Sequence, residues 1–342
     1  MTKWYEKSGD QGDVILSTRI RLARNIKEYP FPGRLSLDQR QKVEKAVCGS
    51  VGQCMQLIGS PYRFINMEDI SKTDAVSLVE RHLVSPEFIS DTRGRGLILS
   101  DDESVSIMIN EEDHLRIQVM REGLALDQAY SVADKLDTLL NERLDFAFDE
   151  RLGYLTQCPT NLGTGMRASL MLHLPALQES GVMGRVANSL SKLGLAIRGI
   201  YGEGSEPVGA IYQLSNQVTL GLSEKEAIEN LGRIAMQLVS QERAARKTLS
   251  QNIETQDSIC RSLGILQNAR MLTNDEFMKL LSKIRIGISE GLIPNISYDK
   301  LNALMVRVQP ATIMLPGGQT LSPAQRDVLR AKTVREVLAP VG

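Results

Sequence analysis

The spacing of hydrophobic positions changes several times along the chain, and each change marks an element. Residues 14–22, VILSTRIRL, read as an extended segment, and the Pro-rich turn Tyr29-Pro30-Phe31-Pro32-Gly33 follows it. Apolar residues then recur at helical spacing over about 36–58 and 71–83, with Ser71 and Asp74 predicting a cap and Pro86 a stop. The period falls to two in SVSIMIN, where Val105, Ile107 and Ile109 alternate with polar or small residues, and in HLRIQVM, where Leu115, Ile117 and Val119 do. The linking EED makes this pair a hairpin. A helix is predicted over about 126–144 and a loop over Thr156–Thr164. A second helix runs from about 166 to 178 with Met166, Leu170, Leu174 and Leu177 as its buried stripe, and a third lies near 183–193. Strands around 195–201 and 209–216 flank a Gly-rich tip, Gly202–Gly209, and a long amphipathic helix covers 223–252. From about 256 the pattern is helical throughout, over 256–266, 274–290, 297–307 and 323–338. The last helix opens with Ser322, Pro323 and Gln325 at cap, first and third positions.

Hairpin-paired strands with helices between them predict an α+β fold, an antiparallel β-sheet flanked by helices, rather than a doubly wound parallel sheet. An all-α C-terminal domain follows. At about 150 residues per domain the chain should hold two, and the change of pattern places them at 1–250 and 251–342.

Composition narrows the function. Forty Lys+Arg against 41 Asp+Glu leave a net charge of −1, which argues against blanket binding of nucleic acid or of an anionic membrane. No apolar run is long enough to span a membrane, and MTKWYEKSGDQGD has no apolar leader core, so a cytoplasmic protein is expected. Cys48, Cys54, Cys158 and Cys260 form no disulfide framework and no zinc spacing, so no metal site is expected. Within the balanced total, however, 26 cations are Arg and 14 Lys, a bias toward the side chain that grips phosphate and carboxylate bidentately.

Common nucleotide motifs are missing: there is no Gly-Lys of a Walker A loop, no His-Arg of a protein-kinase catalytic loop and no G-x-G-x-x-G. Other clusters carry the chemistry. In Ser17-Thr18-Arg19-Ile20-Arg21 an extended backbone puts Arg19 and Arg21 on one face, a clamp for polyphosphate if the segment is more than a solvated edge strand. Asn110-Glu111-Glu112-Asp113-His114-Leu115-Arg116 packs three carboxylates into a turn, which is either a solvated charge run or an acid–base group beside a phosphate-binding Arg116. The small-residue loop Thr156–Gly165 carries Cys158 and leads to Arg167, where a helix N-terminus would favour an anion. Cys158 has no His in its motif to act as base, which favours a role in tuning the site over a covalent one. Arg198-Gly199-Ile200-Tyr201-Gly202-Glu203 puts an Arg at a strand end and a Glu on a glycine-flanked tip, an ordinary hairpin loop or a lid.

Taken in order, S-T-R-x-R, N-E-E-D-H-x-R, C-P-T-N-x-G-T, R-A-S and R-G-x-x-G-E resemble the ATP:guanido phosphotransferases, or phosphagen kinases, over residues 14 to about 245. Within them the chain is most similar to the bacterial protein arginine kinases, the McsB family. Two features point there: only a short segment precedes Ser17, without the helical domain that covers a small guanidino substrate, and Arg326-Asp327-Val328-Leu329-Arg330-Ala331 matches that family's R-D-x-x-R-A motif. The resemblance implies ATP-dependent phosphorylation of arginine side chains in proteins. Glu112 and Glu203 would bracket the substrate guanidinium, with Cys158 beside it. Arg19, Arg21, Arg116, Arg167 and Arg198 would cage the ATP phosphates alongside Mg²⁺, and His82 would touch the nucleotide. Ser17, Thr18, Ile20, Ala168, Ser169, Leu170, Met171, Gly199, Ile200, Tyr201 and Gly202 would line the nucleotide site. Arg326, Asp327, Arg330 and Ala331 would form a phosphoarginine pocket; Arg326 and Arg330, four apart, share a helix face. The resemblance also implies a homodimer, protein substrates including a heat-shock repressor, a Clp-type unfoldase and a zinc-binding activator in a stress response. Two alternatives stay open: a kinase for free arginine or another small guanidino compound, and a non-catalytic phosphoarginine reader.

Overall fold

The structure is a computed structural model that describes residues 2–58, 61–199 and 207–339. In chain order the elements are β1 (Ile15–Arg24), α1 (Leu37–Ile58), β2 (Tyr62–Asn66), α2 (Lys72–Glu80), β3 (Gly96–Ser100), β4 (Val105–Ile109), β5 (Leu115–Glu122) and α3 (Leu126–Leu144). The short pair β6 (Phe148–Asp149) and β7 (Gly153–Tyr154) follows, then β8 (Met166–His173), α4 (Pro175–Glu179), α5 (Met183–Lys192), β9 (Leu195–Gly199), β10 (Ile211–Asn216) and α6 (Glu224–Leu249). The remainder is helical: α7 (Ile253–Asn268), α8 (Asn274–Ser289), α9 (Tyr298–Arg307) and α10 (Pro323–Leu338).

One eight-stranded sheet in the order β2-β3-β4-β5-β1-β8-β10-β9 organises the first 250 residues, and every pairing in it is antiparallel. Strand alternation gives it two unlike faces. Ile20, Leu22, Ile107, Ile117, Val119, Leu170, Leu172 and Leu214 point to one side and pack with residues of α1, α3 and α6 into the largest core. Arg19, Arg21, Arg116, Arg167 and Gln213 belong to the other side by the same alternation. At one end that second face is covered by α7 to α10, whose core takes in Leu16 and Ile211 from the sheet. Glu80 at the end of α2 helps to tie the two regions: its carboxylate accepts hydrogen bonds from the backbone N–H of Ala311 and Thr312, each at 2.8 Å, and from the Thr312 hydroxyl.

Two features of the main sheet depart from the sequence expectation. Residues 166–173 are not a helix but the central strand β8, and only Pro175–Glu179 are helical. Met166, Leu170, Leu174 and Leu177 do fit a helical stripe, but Met166, Ala168, Leu170 and Leu172 are all fully buried at a period of two. Pairing with β1 on one side and β10 on the other decides in favour of the strand, whose other face carries Arg167, Ser169 and Met171. The strands β2 and β3 form the other difference. GLILS of β3 lacks polar alternation because both of its faces are buried.

Candidate functional site

The strands that cross under the second face bring the predicted arginines together. Arg21 on β1 pairs directly with Arg167 on β8, and Arg19 pairs with Ser169. Ala23 pairs with Arg116 on β5, and Gln213 on β10 with Arg198 on β9. The guanidinium of Arg19 donates to Gln213 Oε1 at 2.6 Å and to Ser169 Oγ at 3.4 Å. In contrast, Arg21 Nε and Arg167 Nε are buried with no hydrogen-bond partner. Burial and then the charges of Arg116 and Arg167 press Arg19 down to about 10, and burial with the same kind of repulsion holds Arg21 well below its ordinary value. Arg167 is lowered by burial first and by Arg198 and Arg116 next. Since guanidinium stays charged in proteins, these shifts describe a desolvated, self-repelling cation cluster. An anion would relieve both the repulsion and the orphaned donors.

The acidic turn supplies the opposite charge. It is no solvated charge run, because Asn110, Glu111, Asp113 and His114 are all buried. Arg116 forks onto it, donating to Glu111 through Nη1 and to Glu112 Oε2 through Nη2, each at 2.9 Å. Glu111 also accepts from Ser85 Oγ. Glu112 is the half-exposed member of the turn. Burial, opposed by Arg116, raises its pKa, with the neighbouring Asp113 and Glu111 adding to the rise.

Cys158 lines the same cleft as Glu112, and its Sγ lies 3.0 Å from Thr160 Oγ1. The loop that presents Cys158 is tightly held: Thr219 Oγ1 donates to the carbonyls of Thr160 and Leu162 at 3.0 and 2.7 Å, and Thr164 N donates to Thr219 O. Gly163 lies at φ +108°, where a Cβ would sit 2.2 Å from Thr219 O, so only glycine fits. Glu112, Cys158, Thr160, Asn161 and the arginines 21, 116 and 167 together line a cleft of about 250 Å³. The anion-attracting groups here are guanidinium side chains on neighbouring strands. A helix N-terminus, expected from the sequence, is not part of the site because Arg167 sits in β8.

His82 lies beyond Arg19 at the end of α2, in the left-handed region at φ +60°. Such a backbone conformation is costly for a non-glycine residue and persists where surroundings enforce it; here Gln118 Nε2 donates to the His82 carbonyl at 2.8 Å. Burial, then the charge of Arg19, lowers its pKa to about 4, so the ring is neutral at pH 7. Ser17 and Met171 are paired across β1 and β8, on the same face as Arg19. Ile20, Ala168 and Leu170 turn their side chains into the opposite core, leaving only backbone to offer a ligand. The Thr18 hydroxyl is occupied too: it donates to Gly123 O at 2.7 Å and accepts from Ala125 N. Gly199 ends β9, while Ile200, Tyr201, Gly202 and Glu203 lie outside the described residues.

In the C-terminal region Arg330 is buried, with Nε donating to Val308 O at 2.9 Å and Nη1 donating to Leu272 O at 2.7 Å and to Asp327 Oδ1 at 2.5 Å. Ala331 is packed in the core, and Arg326 is half-exposed. Arg326, like Asp327, is thus partly open to solvent, whereas Arg330 is not.

The sequence marked Glu111 and Asp113 only as part of the charged turn, with no role of their own, and did not mark Gln213. Asp113 Oδ1 accepts from Gln157 N at 2.8 Å and from Asn25 Nδ2 at 2.7 Å, which anchors the Cys158 loop to the acidic turn. A polar Gln in the apolar run IYQL was the available signal for Gln213.

Among the described residues no group of three or more His, Cys, Asp or Glu could hold a metal ion, and no helix is long and apolar enough to cross a membrane.

Comparison with known proteins adds independent findings. Residues 42–245 match the family model of the ATP:guanido phosphotransferase C-terminal catalytic domain, and residues 252–341 match that of the protein-arginine kinase McsB C-terminal domain. A protein-arginine kinase of Symbiobacterium thermophilum is 45% identical over 99% of this chain and 97% of its own length. One from Caldanaerobacter subterraneus subsp. tengcongensis is 46% identical over 94% and 96%. Among solved structures, a lombricine kinase aligns with TM-score 0.61 and 25% identity over 69% of this chain and 68% of its own. The duplicated taurocyamine kinase of Schistosoma mansoni aligns with TM-score 0.60 and 30% identity over 68% of this chain, which spans 33% of that longer protein.

Proposed function

The chain belongs to the protein-arginine kinase family of ATP:guanido phosphotransferases, and from that premise we propose that it transfers the γ-phosphate of ATP to arginine side chains of proteins. One observation carries the reading: a carboxylate of raised proton affinity, Glu112, shares a single cleft with a cluster of half-buried arginines, two of which have a buried Nε without a partner.

A guanidinium is a poor nucleophile because its pKa above about 12 keeps it cationic and its lone pairs delocalised. Glu112 accepts hydrogen bonds from the substrate guanidinium, aims one nitrogen at the γ-phosphorus and takes its proton as the N–P bond forms and the bond to the β-phosphate oxygen breaks. Negative charge builds on the transferring group and on the leaving ADP, where Arg19, Arg21, Arg116, Arg167 and Arg198 offset it. Cys158, which lines the cleft with Glu112, borders the same guanidinium. Glu203 is the second bracketing carboxylate in this reading, on the strength of its motif. His82, neutral, contacts the nucleotide, with the backbone of Ser17–Arg21 and Ala168–Met171 around it; Gly199–Gly202 join the nucleotide site on the strength of their motif. Mg²⁺ would enter on the phosphates of ATP, since the chain's described side chains form no cage for it, and would supply charge neutralisation there.

The wider reading follows the resemblance. Residues 1–250 are the catalytic domain and 251–342 a helical domain for dimerisation and phosphoarginine binding at Arg326, Asp327, Arg330 and Ala331. The product marks proteins for a Clp-type protease in a cytoplasmic stress response, with a heat-shock repressor among the substrates and a zinc-binding protein as activator. Because Arg330 is already committed to three internal acceptors, Arg326→Ala is the informative variant. It should weaken phosphoarginine binding in calorimetry and leave the folded state intact; unchanged affinity removes the pocket from the account.

Labelled ATP offered in parallel with an unfolded protein and with free L-arginine tests the main reading. Label is expected on the protein. Label on free arginine alone establishes instead a small-molecule guanidino kinase, the reading that the likeness to lombricine and taurocyamine kinases favours. No transfer with phosphoarginine binding intact establishes a reader.

A further inference from the structure

The acidic turn has a second set of contacts that face away from the cleft. While Glu111 and Glu112 hold Arg116, Asp113 holds Gln157 N and Asn25, and His114 holds the chain after β1. His114 Nδ1 accepts from Ile26 N at 3.0 Å, which leaves Nε2 to donate to Pro30 O at 2.9 Å. Burial lowers this imidazole to about 4, so it stays neutral and keeps that tautomer. The turn that presents Glu112 therefore also fixes two surface segments, one from Lys27 to Arg34 and one from Ala147 to Gln157.

Between those segments runs a groove of about 720 Å³, lined by Lys27, Tyr29, Phe31, Arg34, Phe148 and Gln157 among others. Phe31 is 37% and Phe148 57% exposed, although neither is needed to fill a core. Phe148 stands edge-on to Tyr154 with ring centroids 5.2 Å apart, so it is held in place rather than loose. Gln157 Oε1 accepts from Gly33 N at 3.1 Å and bridges the two walls. The very next residue, Cys158, lines the catalytic cleft. Groove and cleft thus meet at the consecutive residues Gln157 and Cys158 and share one anchoring turn.

We propose that this groove seats the stretch of substrate polypeptide that flanks the target arginine, with the arginine side chain passing over Gln157 and Cys158 to Glu112. The inference rests on the reading of arginine side chains in proteins as the substrate. A lone guanidino compound fits the 250 Å³ cleft and has no use for a second, larger groove beside it. Tyr29, Phe31 and Phe148 offer flat apolar surface to side chains on either side of the arginine. Lys27 and Arg34 at the rim favour acidic or carbonyl groups on the same segment. Exposed aromatic side chains beside a polar reaction site are where chain-length-dependent binding energy is gained.

The test compares wild type with the double variant Phe31→Ser/Phe148→Ser on two acceptors, an unfolded protein and the blocked single residue N-acetyl-arginine methylamide, with ATP affinity measured alongside. For the protein acceptor kcat/KM should fall about tenfold or more, through KM, as expected when remote binding contacts are removed. Transfer to the blocked arginine and ATP affinity should stay at the wild-type level. Equal kcat/KM for the protein in both enzymes overturns the groove while leaving the arginine-kinase reading in place. A parallel fall on both acceptors also overturns it, because the damage then lies in the cleft. Wild-type transfer to neither acceptor overturns the underlying reading and this inference together.

Discussion

Glu112→Ala is expected to slow phosphoryl transfer to protein arginine by about 10³-fold or more, the upper part of the range for a lost general base whose carboxylate also orients the acceptor. ATP affinity should change little, since Glu112 faces the acceptor and Arg116 keeps Glu111 as a partner. Glu112→Gln sharpens the result: it preserves shape and removes the proton acceptor, so it should be nearly as slow. The pH profile of the wild type carries the same argument. Burial raises the pKa of Glu112, and this carboxylate must be ionised to accept a proton. The acid limb of kcat/KM therefore lies above the ordinary glutamate range, with activity present above it and lost as pH falls through it. An acid limb at the ordinary value, or a Glu112→Ala enzyme with near-normal transfer, contradicts the assignment.

Arg21→Met is expected to move activity and stability in opposite directions. Arg21 is half-buried beside Arg19, Arg116 and Arg167, and its buried Nε has no partner. In the ligand-free protein the guanidinium is a source of repulsion, so a side chain of similar length without charge should raise the melting temperature. In the transition state the same group offsets charge on the transferring phosphoryl, and losing one such preorganised donor typically costs about 3–4 kcal/mol, or about 10²–10³-fold in rate. Thermal shifts with and without ATP, together with transfer rates, measure both halves. ATP should stabilise wild type more than the variant, because part of its binding relieves the cation cluster. A variant that melts lower without ATP and loses no more activity than a surface substitution shows that Arg21 is a packing residue.

Much of the site was legible because strand periodicity is strict. Alternation alone placed Arg19 and Arg21 on one face and Ile20 and Leu22 on the other, and the structure buries the latter pair in the main core. The hairpin that carries Glu112 and Arg116 was equally clear, from alternation on both sides of a charged turn. What the sequence hid was tertiary. Residues 166–173 fit a helical stripe as well as a strand, and two flanking strands decided between them. That choice determines how Arg167 meets Arg21, as a cross-strand neighbour rather than as part of a helix terminus. Burial of the acidic turn was also out of reach, because Asp113 and His114 find their partners in segments about 40 and 90 residues away along the chain. The phosphoarginine motif shows the reverse limit: i,i+4 spacing put Arg326 and Arg330 on one helix face, but it could not tell that Arg330 is already satisfied by Val308, Leu272 and Asp327.

The central claim is that the cleft between Glu112 and the arginine cluster transfers phosphate to arginine nitrogen in a protein. Its most direct test is to incubate the protein with ATP and an unfolded polypeptide, fragment the product under non-acidic conditions and locate the added phosphate by mass spectrometry. The account predicts phosphate on arginine side chains, lost on acid treatment and absent when Glu112→Ala is used. Acid-stable phosphate on serine, threonine or tyrosine, or none on the polypeptide at all, would contradict it.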